Sequence, residues 1–134
     1  MKAYISVSYR GRKLADKALN AIACTLNELK IEPFIFVDYY RFEPLQEKQM
    51  MKQAMDDIEN CDLLMAETSD KAIGVGIEAG YAKAKHKPVI YLRQKEAAHS
   101  TTLAGISDFQ IIYEGEDDLQ IQLAVIMKKI LRKK

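Results

Sequence analysis

The sequence DLLMAET at residues 62–68, followed by IGVGIEAGY at residues 73–81, decides the fold. The first stretch is apolar on both faces in its middle, as expected of a parallel strand that helices cover on each side. The second stretch predicts a glycine-bearing loop that opens a helix running through about His86. A buried strand followed directly by a helix indicates one βα step of a parallel sheet.

The same alternation of strand and helix patterns runs along the rest of the chain. We predict four more strands, at residues 3–8, 33–38, 88–92 and 109–113. Helical spacing of apolar residues predicts helices over residues 12–30, before residue 59, and from about residue 116. Their predicted inward faces are Leu14, Ala18, Ile22, Leu26 and Leu29; Met50, Met51, Ala54, Met55 and Ile58; and Leu119, Leu123, Ile126, Met127 and Ile130.

Five βα steps predict a three-layer α/β fold of the flavodoxin-like (Rossmann-like) type. Because parallel crossovers are right-handed, the economical arrangement is a five-stranded parallel sheet in the order 2-1-3-4-5. The 134 residues contain no internal repeat or linker, so we expect a single domain over residues 1–134. The basic residues that close the chain, through Lys134, are expected to form a solvated helix end.

Composition narrows the classes of partner. Lysine plus arginine is 20 and aspartate plus glutamate is 19, so the net charge of +1 gives no general attraction to a nucleic acid polymer or a membrane. The N-terminus does not resemble a signal peptide, and no apolar run is long enough to span a bilayer. Two isolated cysteines indicate packing in a reducing, cytoplasmic compartment, and the two histidines lack the spacing of a metal pair, so we expect no metal.

In this strand order a ligand is expected at the carboxyl ends of strands 1 and 3, and Glu78 is the first candidate there. We place it just inside the start of the third helix, where free N–H groups and the helix dipole favour an ionised carboxylate. Such a group suits a nucleophile or a charge stabiliser. The alternative is structural, since glutamate is common in first helical turns.

Three glycines around Glu78 have two interpretations. The spacing of Gly74, Gly76 and Gly80 is one residue too long for a dinucleotide fingerprint and follows the third strand, so no nicotinamide cofactor fold is predicted. The glycines either let the backbone approach a sugar or phosphate, or form a plain turn that needs positive φ.

Other polar residues lie near the same predicted edge. Ser8, Arg10 and Gly11 end the first strand and form either an anion site or a surface turn. Glu67 ends the third strand, where it is either a partner acid or a hydrogen-bonding group for loop backbone. Asp62, at the opposite end of that strand, is expected to be structural.

The chain resembles the nucleoside 2-deoxyribosyltransferase superfamily, and within it the 2'-deoxynucleoside 5'-monophosphate N-hydrolases. The resemblance is carried by IENCDLLMAET at residues 58–68, GVGIEAGYA at 74–82 and KPVI at 87–90. Weaker similarity involves Tyr4, Ser8, Arg10 and Gly11 near the N-terminus, and the serine segment STTLAG at residues 100–105.

The resemblance implies cleavage of an N-glycosidic bond, by hydrolysis or by transfer, without a cofactor. Glu78 would attack the anomeric carbon of a (deoxy)nucleoside 5'-monophosphate and form a covalent glycosyl-enzyme, and Tyr4 would orient the nucleophile or the sugar. Gly74 and Gly76 would approach the substrate closely, Gly76 through its backbone N–H. A homodimer with shared sites is implied, in which Ser100 of a neighbouring subunit joins the phosphate-binding residues Ser8, Arg10 and Gly11.

Two positions depart from the family pattern. The second family acid falls on Ala54, so Asp56 or Asp57 could replace it only if the helix that carries them is shifted. A pocket serine of the family falls on Ala72. A nucleotide-binding sensor without turnover therefore stays open as an alternative. A TIR-like signalling domain is a further alternative, because YISVSY at residues 4–9 faintly resembles the first TIR strand.

Overall fold

The computed structural model describes residues 1–133 and contains one sheet of five parallel strands. Their order, β2-β1-β3-β4-β5, is the flavodoxin-like order that the sequence predicts. Lys134, the last residue of the predicted basic helix end, lies outside the described residues. The strands are β1 (Lys2–Val7), β2 (Glu32–Ile35), β3 (Leu63–Glu67), β4 (Val89–Gln94) and β5 (Phe109–Tyr113).

Helices cover both faces of the sheet and enclose two apolar cores. One core packs α1 and α6 on the first face, and the other packs α3, α4 and α5 on the second. Side chains alternate between these faces along each strand, so Ala3 and Ile5 enter the first core while Tyr4 enters the second. The helices are α1 (Asp16–Glu28), α2 (Phe36–Tyr39), α3 (Glu47–Glu59), α4 (Ile73–Ala84), α5 (Thr101–Ile106) and α6 (Glu116–Arg132).

Apolar spacing predicts the last helix well and the first two less well. All five residues of the predicted α6 stripe are buried. Leu14 is 86% exposed, contrary to prediction, because a 3-10 turn at Lys13–Ala15 precedes α1 and changes the residue spacing. In α3 only Ala54 and Ile58 are buried, while the three methionines predicted to face inward are half-buried.

Two short helices were not predicted, and one predicted loop is helical. Strand β2 ends at Ile35 and passes directly into α2, and α5 forms within the serine segment. The predicted glycine loop is instead the first turn of α4, which begins at Ile73. Within residues 1–133, no helix has the length and apolar character needed to cross a membrane.

Candidate active site

The candidate site forms where β1 and β3 run side by side beneath α4. Ser6 pairs with Ala66 and Tyr4 with Leu64, so all four side chains point to the α4 face of the sheet. Helix α4 packs across β1, β3 and β4, and this packing places Glu78 over the carboxyl-terminal half of β1.

Two strand hydroxyls hold the Glu78 carboxylate. Ser6 Oγ donates to Oε1 at 3.0 Å, and the Tyr4 hydroxyl donates to Oε2 in a short hydrogen bond. Burial raises the pKa of Glu78 above its ordinary value, although the hydrogen bonds from Tyr4 and Ser6 act to lower it. Burial, and then the charge of Glu78, raises the pKa of the Tyr4 phenol. Tyr4 therefore stays protonated and donates to the carboxylate.

Hydrogen bonds, rather than the start of the helix, favour the ionised form of Glu78. The residue lies in the second turn of α4, which begins at Ile73. This placement corrects the expectation that Glu78 lies just inside the helix start. The dipole effect falls off within the first turn, so it acts little on Glu78.

Sequence reasoning missed Ser6 as a residue of the site. Its spacing of two from Tyr4 along the strand was a signal that could have identified it.

The three glycines of this region are helical residues of α4. Gly115 is the only glycine with positive φ in residues 1–133, so the interpretation of Gly74 and Gly76 as a positive-φ turn is wrong. A Cβ at Gly74 or Gly76 would meet nothing within 4 Å, which leaves the backbone there open to a ligand. Gly76 lines a cavity of about 320 Å³ that also includes Ala72 and Ser100 of the same chain.

Ser100 caps a helix within its own chain. Its hydroxyl accepts from Leu103 N at 3.4 Å, and its backbone N–H donates to the Tyr91 hydroxyl at 2.9 Å. Within its own chain it lines the cavity at the start of α4.

The loop after β1 is bound to Asp70, a residue that sequence reasoning missed. Ser8 Oγ donates to Asp70 Oδ2 at 2.7 Å, and Arg10 Nη2 contacts Oδ1 at 3.4 Å. The N–H of Gly11 donates to Ser8 Oγ at 3.1 Å, and a Cβ at Gly11 would lie 2.8 Å from Asp70 Cβ. The hydroxyl of Ser8 and the guanidinium of Arg10 lower the pKa of Asp70. An internal carboxylate therefore occupies the side-chain donors predicted to hold an anion.

Glu67 lies on the opposite face of the sheet from Glu78. It is 2% exposed and accepts hydrogen bonds from the Tyr113 hydroxyl at 2.5 Å and from Ser69 N at 2.6 Å. Ala66 faces α4, and successive residues of a strand point to opposite faces, so Glu67 points away from α4. The structure therefore does not bring Glu67 to Glu78. The hydrogen bond to Ser69 N is the loop-backbone role that the sequence left open.

The two aspartates near the end of α3 are also separate from Glu78. Asp56 is exposed, and Asp57 accepts from Gln53 Nε2 at 3.0 Å through Oδ1, while its Oδ2 is buried. After burial, Asp57 is the main cause that raises the pKa of Tyr40, and its charge also adds to the raised pKa of Tyr4, so Asp57 lies close to both tyrosines. The side of α3 packed with Tyr4 carries Ala54, which is 1% exposed.

Asp62 accepts from the Lys2 N–H at 2.7 Å at the far end of the sheet.

Within residues 1–133 no group of three or more histidine, cysteine, aspartate or glutamate side chains could hold a metal ion.

Open α/β sheets bind ligands at the switch point in strand order, and a carboxylate placed there can act as a nucleophile. The chain belongs to the nucleoside 2-deoxyribosyltransferase family, a family of enzymes whose sequence profile matches residues 3–122. No functionally curated protein matches the sequence.

Solved structures of similar fold include three enzymes. The CMP N-glycosidase BcmB of Clostridium botulinum has a TM-score of 0.67 and 22% identity over 92% of this chain and 98% of that one. The 2-deoxyribosyltransferase of Bacillus psychrosaccharolyticus has a TM-score of 0.68 and 13% identity over 90% of each chain. The Leishmania mexicana 2-desoxiribosyltransferase has a TM-score of 0.56 and 16% identity over 76% of this chain and 75% of that one.

Proposed function

We propose that this chain is a single-domain N-glycosidase that cleaves the base–sugar bond of a nucleoside or nucleoside 5'-monophosphate. The observation that carries the proposal is the Glu78 carboxylate, held on one side by Tyr4 and Ser6. Family membership supports the same chemistry, and the three similar structures are named for N-glycosidase or deoxyribosyl transfer.

In the proposed mechanism Glu78 attacks the anomeric carbon from the face opposite the base. The two hydroxyls fix the direction of the carboxylate and favour its ionised form against the effect of burial. The bond to the base breaks through an oxocarbenium-like transition state and leaves a glycosyl ester on Glu78. Water then releases the sugar, whereas a second base in place of water would make the chain a transferase.

Asp70 decides between two substrate classes. A 5'-monophosphate would have to replace the Asp70 carboxylate at Ser8 and Arg10, and Ala72 supplies no hydroxyl to compensate. A nucleoside could instead donate its 5'-hydroxyl to Asp70, an arrangement that needs no displacement. The occupied donors therefore favour a nucleoside as the second candidate substrate.

Base release is the direct test. Purified protein is incubated with paired nucleosides and 5'-monophosphates, and free base is measured by chromatography. Glu78→Gln should abolish release and lose the glycosyl adduct that mass spectrometry detects on the wild type. Glu67→Gln is the matched control, since it makes the same chemical change on the other face of the sheet, and it should keep its activity. Turnover by Glu78→Gln at the wild-type rate would exclude Glu78 as the nucleophile.

We further propose that the chain forms a homodimer with shared sites. Ile73 and Ile77, one turn apart on α4, are 84% and 54% exposed beside the candidate site, which suits a surface covered by a second copy. Light scattering should give twice the monomer mass, and Ile77→Lys should lower it. A monomer mass at all concentrations would exclude the dimer.

A further inference from the structure

A cavity of about 790 Å³ lies between the segments that follow β1 and β2, at the carboxyl ends of these strands. Its volume is within the range of small-molecule sites, roughly 300–1,000 Å³. Four cationic side chains and one acidic side chain line it: Arg10, Arg12, Lys13, Arg41 and Asp38. The lining is therefore strongly basic, although the whole chain has a net charge of only +1.

One of these cations is neutralised and fixes the shape of the cavity. Arg12 donates through Nε and Nη2 to the two oxygens of Asp38, at 2.8 and 2.9 Å, and through Nη1 to Asp16. The two-pronged pair joins the segment after β1 to helix α2. The two walls are thus held together before any ligand enters.

The other cations keep donors for an anion. Lys13 and Arg41 are exposed, and neither makes an ion pair with any residue from 1 to 133. Arg10 makes a single contact of 3.4 Å with Asp70, so most of its N–H groups stay available. Because the salt-bridged pair cancels, the remaining positive charge favours a ligand that carries more than one negative charge.

Tyrosine rings line the same cavity. Tyr9 and Tyr39 are 68% and 62% exposed, and both belong to the lining. The ring of Tyr39 is stacked on Phe34 with 4.5 Å between the centroids, which fixes its orientation. Exposed rings of this kind are surfaces on which nucleobases stack.

We propose that this cavity binds a nucleoside 5'-di- or triphosphate, with its phosphates at Lys13 and Arg41 and its base against Tyr9 and Tyr39. Such a ligand combines the flat ring and the several negative charges that the lining favours. The site goes beyond the proposed function, because the Glu78 carboxylate and the two hydroxyls that hold it do not line this cavity.

Isothermal titration calorimetry with ATP, inorganic tripolyphosphate and adenosine tests the two parts of the ligand separately. The titrations contain EDTA, so that no metal ion masks the phosphate charges. ATP should bind more tightly than either part alone by about tenfold or more, since it makes both sets of contacts at once.

Four variants locate the binding. Lys13→Gln and Arg41→Gln each remove one charge from the cavity and should weaken ATP binding about threefold. Lys129→Gln removes the charge of an exposed lysine of α6, on the other face of the sheet, and is the matched control that should leave the affinity unchanged. Tyr9→Ala should weaken ATP binding about fivefold or more and leave the affinity for tripolyphosphate within about twofold.

Several results would overturn the inference. They are the absence of ATP binding, adenosine binding as tightly as ATP, and unchanged ATP affinity in Tyr9→Ala or in both charge variants of the cavity. An equal loss in Lys129→Gln would show a general effect of charge and would also overturn it. Tighter binding of single-stranded oligothymidylate than of ATP would assign the cavity to a nucleic acid instead. Because the titrations measure binding and not base release, the proposed function stands or fails separately.

Discussion

Replacing Tyr113 by phenylalanine removes one hydroxyl from the sheet face opposite Glu78 and keeps the ring. Tyr113 is 3% exposed, and its hydroxyl is 2.5 Å from Glu67 Oε2. Without it, that buried oxygen loses its hydrogen bond while Oε1 keeps the one from Ser69 N. Leaving a buried acceptor unpaired costs about 1–3 kcal/mol. Because a domain of this size loses about 4 °C in Tm per kcal/mol, we expect Tm to fall by about 4–12 °C.

Thermal unfolding followed by circular dichroism measures the loss, and steady-state kinetics shows whether the substrate is affected. We expect KM to stay at the wild-type value, because Glu67 and Tyr113 lie across the sheet from Glu78. Tyr9→Phe, at a tyrosine that is 68% exposed, is the control for loss of a hydroxyl and should leave Tm unchanged. An unchanged Tm in Tyr113→Phe together with a raised KM would show that Glu67 contacts substrate and that the reasoning is wrong.

Three further changes have defined outcomes. Burial raises the pKa of Glu78, so its carboxyl favours folding below its unfolded pKa, and this contribution is lost as the pH rises through the folded pKa. Glu78→Gln should therefore raise Tm at neutral pH, with the gain shrinking towards about pH 4; a lower Tm at neutral pH would contradict this. Gly11→Ala places a Cβ 2.8 Å from Asp70 Cβ and should lower the free energy of unfolding in urea by about 1–3 kcal/mol, which an unchanged midpoint would refute. Asp70→Asn removes a negative charge from Ser8 and Arg10 and should lower KM for a 5'-monophosphate more than for its nucleoside, whereas equal changes would argue against an anion site.

The order of the sheet follows from the sequence because parallel strands and connecting helices have separate hydrophobic periods. Local exceptions arise where backbone geometry changes without a change in composition. Leu14 fits the helical spacing, but the 3-10 turn moves it to the surface. Gly74 and Gly76 have low helix propensity, yet they form the first turn of α4 because Val75 and Ala79 pack into the core.

The candidate site was predictable as far as Glu78 and Tyr4. Alternation along the strands was enough to add Ser6 on the face of Tyr4 and to place Glu67 on the other face. The contacts of Asp70 with Ser8 and Arg10 had no such signal, since they join two loops separated by 60 or more residues. The direction of Asp57 depends on the rotation of α3 about its axis, which its mixed apolar spacing does not determine.

The sheet separates the packing of α1 and α6 from the chemistry around Glu78. In laboratory evolution of this scaffold, the two faces of the sheet can therefore be mutated as separate sets of positions. Libraries at outward positions of α3 and α4 would be selected for activity on new leaving groups. Substitutions in the core beneath α1 and α6 would be selected for a higher Tm. Because the two sets share only the backbone of the strands, gains selected in one should combine additively with gains selected in the other.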